Sequence, residues 1–109
     1  MPEANPNQEA IIKFQQYQQQ LQALSIQKQA LQIQKAEIEN ALKELGKITN
    51  EKVYELIGNI LVNKTPKELK ESLSDKRERA NLRLESINKQ IERINAKLKE
   101  LQQQLTGGK

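Results

Sequence analysis

Apolar residues recur along this chain at alternating three- and four-residue steps, in two long runs. The first is Phe14, Tyr17, Leu21, Leu24, Leu31, Ile38, Leu42 and Leu45, with Lys28 and Lys35 in its gaps. The second is Leu73, Ala80, Leu84, Ile87, Ile91, Ile94, Leu98, Leu101 and Leu105, with Arg77 in its gap. This spacing predicts two helices that pack through a narrow seam. The segment between them, Val53-Tyr54-Glu55-Leu56-Ile57-Gly58-Asn59-Ile60-Leu61-Val62, reads instead as strand. Gly58-Asn59 divides it, and Gly followed by Asn suits a two-residue type II′ hairpin turn. The register then sets Ile57 opposite Ile60, Leu56 opposite Leu61, and Glu55 opposite Val62.

Local signals bound the elements. Asn5-Pro6-Asn7-Gln8 supplies an N-cap followed by proline at the first helical position. Helix one should run over about 6–45, with Gly46 as its C-terminal cap and Lys43 and Lys47 favourable at the negative dipole end. The hairpin should cover about 52–64. Thr65-Pro66-Lys67-Glu68 is a capping box that opens helix two, over about 66–105. Tails at 1–5 and 106–109 should be loose. The whole of 1–109 reads as one domain, mainly α: a long antiparallel two-helix coiled coil joined by one β-hairpin.

The antiparallel register can be tested by arithmetic, because facing seam residues must have numbers with a constant total. A total of 115 pairs Phe14 with Leu101, Leu21 with Ile94, Leu31 with Leu84, and Leu42 with Leu73. It sets Lys28 against Ile87, Lys35 against Ala80, and Arg77 against Ile38. Each seam cation thus meets an apolar residue, along which a long stem can lie while its charge reaches water. Such layers penalise slipped registers.

Composition narrows the chemistry. There is no cysteine and no histidine, which removes disulfides, thiolate chemistry, the usual metal ligand and the usual general base. The remaining titratable residues fall on solvated helix faces, so no enzyme, metal site or cofactor is expected. No apolar run is long enough for a membrane span, and the N-terminus has no secretory pattern, so a cytoplasmic protein is expected. The net charge is +4, and residues 65–109 hold 11 Lys/Arg against 7 Asp/Glu. The densest part is Lys76-Arg77-Glu78-Arg79 with Arg83. Interleaved Asp75, Glu78 and Glu85 favour a solvated face with local ion pairs over a nucleic-acid footprint, so no nucleic-acid partner is expected.

Two surfaces remain that the chain cannot cover by itself. The hairpin residues Val53, Leu56, Ile57, Ile60, Leu61 and Val62, turning at Gly58, are apolar on both faces, and an isolated two-stranded ribbon is marginal in water. Pairing with strands of other subunits in a closed inter-subunit barrel would resolve this. At the opposite end the seam stops, leaving an apolar tip from Ile11, Ile12, Phe14, Leu98, Leu101 and Leu105. Ile12, Ile26 and Ile33 share the heptad position furthest from the seam, and Leu82 adds to the outer face of helix two. A tip of this kind suits capture of other polypeptides. The competing reading is a passive coiled-coil scaffold or tether, which has no use for exposed Ile11, Ile12 and Phe14.

Helix, hairpin, helix, with Val53-Tyr54 followed by Gly58 and Ile60-Leu61-Val62, and a Gln-rich first helix around Tyr17-Gln18-Gln19-Gln20-Leu21, resembles the β-type subunits of prefoldin, archaeal and eukaryotic (subunit 6) alike. The resemblance covers about residues 8–105, and the single hairpin matches the β-type. It implies a hexamer of two α-type and four β-type subunits whose hairpins form a β-barrel platform. It further implies ATP-independent capture of unfolded polypeptides at the coiled-coil tips and their delivery to a group II chaperonin. The short tail after Leu105 departs from members with a longer C-terminus.

Overall fold

A computed structural model describes residues 6–48 and 52–107. Four elements follow in order: helix α1 (Pro6–Leu45), strand β1 (Val53–Ile57), strand β2 (Ile60–Lys64) and helix α2 (Pro66–Leu105). The expected N-cap Asn5, the loose segment 1–4 and the tail residues Gly108 and Lys109 lie outside the described residues.

The capping box at the start of α2 forms in both directions. The Glu68 backbone N–H donates to Thr65 Oγ1 at 3.1 Å, and the Thr65 N–H donates to Glu68 Oε1 at 3.4 Å. The Thr65 hydroxyl also donates to Glu68 Oε1 at 2.9 Å, so one carboxylate gathers two donors at the positive end of the helix. Helix α1 ends differently from a glycine left-handed cap. Gly46 keeps a negative φ, since Gly58 and Gly107 are the glycines with positive φ. The last turn instead tightens, with Lys47 N–H donating to the Glu44 carbonyl and Ile48 N–H to that of Leu45, both at 3.1 Å. At the far end of α2, the Thr106 hydroxyl donates to Gln103 O at 3.2 Å and to Gln102 O at 2.9 Å, the latter already accepting the Thr106 N–H at 3.0 Å.

The chain forms two compact units: one holds residues 1–30 and 85–109, the other 31–84. In the first, N-terminal α1 lies with C-terminal α2, which is antiparallel packing. Ala10, Ile87 and Ile94 are buried there, and Phe14, Tyr17, Leu21, Leu24, Lys28, Ile91, Leu98, Leu101 and Leu105 are half-buried. In the second, Leu31, Ile38, Leu45 and Ala80 are buried, with Lys35, Leu42, Leu73 and Leu84 half-buried. The covered positions keep the three–four alternation along α1 from Ala10 to Leu45 and along α2 from Ala80 to Leu105, and the unit limits obey the deduced register: Ala30 with Glu85, and Leu31 with Leu84, each total 115.

The seam departs from expectation at three places. Ala10 is 3% exposed, so the seam continues one step beyond Phe14; a side chain that small lets the backbones close. Arg77 is exposed as a whole residue, unlike half-buried Lys28 and Lys35, while Ile38 at its level is 6% exposed. Lys70 is a half-buried seam cation of the kind expected at Lys28 and Lys35. Lys35 keeps its charge partnered by Glu39, 3.8 Å away.

Truncation in the seam should therefore weigh far more than truncation outside it. Ile87→Ala should lose about 2–5 kcal/mol, whereas Ile26→Ala on the exposed face should change stability by roughly 0.5 kcal/mol or less. Urea unfolding followed by circular dichroism reads both.

Candidate functional site

The strand register is Val53↔Lys64, Tyr54↔Asn63, Glu55↔Val62, Leu56↔Leu61 and Ile57↔Ile60, as the turn residues predict. Gly58 has φ of 62°, and no described residue other than glycine has a positive φ. A left-handed first residue followed by an ordinary second one is the type II′ pattern. A Cβ at Gly58 would meet nothing within 4 Å, so glycine is needed there for its backbone conformation and not for room.

Alternation separates the hairpin into unlike faces. One carries Val53, Glu55, Val62 and Lys64, all half-buried. On it Lys64 Nζ lies 3.4 Å from Glu55 Oε2, a diagonal cross-strand pair whose side chains are only 25% and 15% exposed. The other face carries Tyr54, Leu56, Leu61 and Asn63, all exposed, and both leucines keep about two thirds of their surface in water (67% and 66%). Ile57 and Ile60, flanking the turn, are 52% and 65% exposed. Of the residues expected to drive assembly, Val53 and Val62 thus sit on the face partly covered by this chain. Leu56, Ile57, Ile60 and Leu61 are left open.

The backbone points the same way. A two-residue hairpin is closed by a hydrogen-bonded pair, here Ile57 and Ile60, and paired and unpaired positions alternate from there. Tyr54, Leu56, Leu61 and Asn63 consequently turn their N–H and C=O groups outward. The sheet has two strands only, so both edges carry such groups without a sheet partner among the described residues. The residues with outward-facing backbone groups are those that form the exposed face.

At the other candidate surface, the first unit ends with Ile11 and Ile12 exposed at 46% and 53%. Phe14, Leu98, Leu101 and Leu105 are half-buried seam residues, and Ala10 is buried. Two of the six expected tip residues are thus open surface; the other four offer only their outer edges. Ala10 and the Glu55–Lys64 pair went unread in the sequence. A three–four count carried back from Phe14 finds the first, and the i, j+2 diagonal of the predicted hairpin finds the second.

For chemistry of another kind the structure gives little support. A depression beneath the hairpin is lined by Gly46, Ile48, Lys52, Lys64, Thr65 and neighbouring residues. Its one carboxylate, Glu68, is engaged in the helix cap. Among the described residues no group of His, Cys, Asp or Glu could hold a metal ion, and no helix is long and apolar enough to cross a membrane.

Replacing Gly58 with valine should cost roughly 1–2 kcal/mol of hairpin stability, because a β-branched side chain resists a positive φ. The NMR population with cross-strand contacts between Leu56 and Leu61 measures the difference.

Comparison with known proteins places this geometry. The family model described as prefoldin subunit matches residues 8–107. Prefoldin subunit beta of Methanosarcina barkeri is 38% identical over 99 residues, covering 90% of this chain and 85% of that protein. Prefoldin subunit beta of Pyrococcus furiosus is 36% identical over 102 residues, covering 92% and 87%. The crystal structure of the prefoldin beta subunit from Thermococcus strain KS-1 matches with a TM-score of 0.87 at 32% identity, over 99% of this chain and 96% of that one.

Proposed function

The chain belongs to the prefoldin family as a β-type subunit, and from that membership we propose an ATP-independent co-chaperone subunit, one domain over residues 1–109. Its hairpin joins it to α-type subunits and to further copies of itself, four β-type to two α-type. Its tip captures unfolded polypeptides and passes them to a group II chaperonin in the cytoplasm. It needs no cofactor, and nucleic acid and membrane have no part in this role.

The observation that supports this best is the hairpin's open face. On that face Tyr54, Leu56 and Leu61 each keep more than half of their surface in water, as do Ile57 and Ile60 beside the turn. Burying such side chains fully contributes about 1.5–3 kcal/mol each. Adjacent strands from other subunits would complete the outward backbone groups of Tyr54, Leu56, Leu61 and Asn63 and extend the ribbon into a larger sheet whose closure buries that face. Half-buried Glu55 and Lys64 on the reverse face hold the ribbon in register beforehand, so less order is lost on assembly.

Capture follows from the tip. Ile11 and Ile12 with the edges of Phe14, Leu98, Leu101 and Leu105 form a small apolar patch, suited to weak contacts with many sequences. Several tips acting on one client raise the avidity by about 10²–10⁴ through effective concentration. Release then needs only a competing binder, because no covalent step holds the client. A passive tether would leave exposed Ile11 and Ile12 without a purpose.

Leu61→Lys should dissociate the assembly formed with an α-type partner while helicity stays unchanged; light scattering reads the mass. An unaltered particle would refute the hairpin's role. Deleting residues 99–109 should leave the assembly intact and weaken suppression of client aggregation. Full suppression by the truncated chain would remove the C-terminal tip from the capture surface.

A further inference from the structure

The two units close their seams with unlike layers. In the unit of residues 1–30 and 85–109, Ala10 stands level with Leu105, Phe14 with Leu101, Tyr17 with Leu98, Leu21 with Ile94 and Leu24 with Ile91, apolar against apolar throughout. A cation enters at one level, Lys28 with Ile87, at the unit's limit. In the unit of residues 31–84, Leu31 with Leu84 and Leu42 with Leu73 keep that pattern, but Lys35 stands level with Ala80, Arg77 with Ile38 and Lys70 with Leu45. Ala80, Ile38 and Leu45 are buried, yet they are faced by half-buried Lys35, exposed Arg77 and half-buried Lys70. A cation that keeps its charge in water covers its neighbour with a stem alone, and such a level gains less than leucine against leucine. The depression beneath the hairpin lies in the same unit and is lined by Lys52, Lys64, Lys67 and Lys70. Glu55 pairs with Lys64, while the other three take no ion pair among the described residues. The hairpin itself is a ribbon of two strands, marginal in water when unaccompanied.

We propose that the unit of residues 31–84 is a conformational device coupled to assembly. Its helices open readily in the lone chain, and they close firmly once the hairpin is joined to strands of other subunits. The second step rests on the assembly reading. The coupling is thermodynamic. Strands that pair with the formed hairpin, and not with the opened unit, favour the closed form alone, and a cooperative unit gains throughout. Ile38 and Ala80 are thereby stabilised by contacts they do not themselves make. The other unit contains no part of the hairpin, and its apolar levels close it without help. Its opening is accordingly the same in the lone chain and in the assembly. The seam cations of residues 31–84 thus leave that unit dependent on its neighbours, and the subunit completes its fold as it joins them.

Native-state amide hydrogen exchange of the full chain, alone and in the assembly with an α-type subunit isolated by mass, tests the proposal. Relative to intrinsic rates, the amides of Ile38, Leu42, Leu73 and Ala80 in the lone chain should exchange about tenfold or more faster than those of Leu21, Leu24, Ile91 and Ile94. In the assembly the first four should slow by about tenfold or more, and the second four should not change. Arg77→Leu makes the level with Ile38 apolar on both sides, so in the lone chain it should slow the first four by about tenfold and leave the second four unchanged. Equal exchange of the two sets in the lone chain, or no response to Arg77→Leu, overturns the weak seam. An assembly of full mass with protected hairpin amides, in which Ile38 and Ala80 exchange as before, overturns the coupling. Each of these outcomes leaves the assembly reading standing. Separated chains in the mixture overturn the assembly reading and the coupling with it.

Discussion

Register is the constraint on which the rest of this molecule depends. Two helices of 40 residues each flank the hairpin, and within each unit a seam position on one helix has its counterpart on the other. The strands pair with numbers totalling 117, as in Val53 with Lys64, and the helices with numbers totalling 115. Burial then falls on alternate three- and four-residue steps, and every polar face follows from what the seam leaves outside.

The same constraint makes the hairpin incomplete. A ribbon of two five-residue strands has a face turned toward its own unit and a face turned away. The first is furnished with Val53, Val62 and the Glu55–Lys64 pair, which satisfy one another at modest exposure. The second gathers Leu56 and Leu61, together with the outward backbone groups of both edges. Apolar surface and unpaired amides at the same four residues form a template for further strands. In the proposed function its occupants are strands of other prefoldin subunits.

Most of this was legible in the residues because the strongest signals are local. Heptad spacing, a Gly-Asn turn and a Thr-Pro-Lys-Glu cap each act within a few residues, and each is found where it was placed. What escaped the sequence was decided by neighbours. Gly46 suggested a left-handed cap, yet the chain tightens its last turn and leaves that conformation unused. Arg77 occupies a heptad position yet is exposed as a whole residue, unlike Lys28 and Lys35. Ala10 is too small to register as a seam residue until packing shows it at 3% exposure. The division of the hairpin into a covered and an open face could not be read at all, because both faces are apolar in sequence.

The most direct measurement of the central claim is amide hydrogen exchange at Tyr54, Leu56, Leu61 and Asn63. These four N–H groups should exchange rapidly in the lone chain, while those of Glu55 and Val62 are held by the ladder. In the assembly with an α-type subunit, protection should spread to the edge amides that receive a neighbouring strand. An assembled particle in which all four amides exchange as fast as in the lone chain would contradict the account.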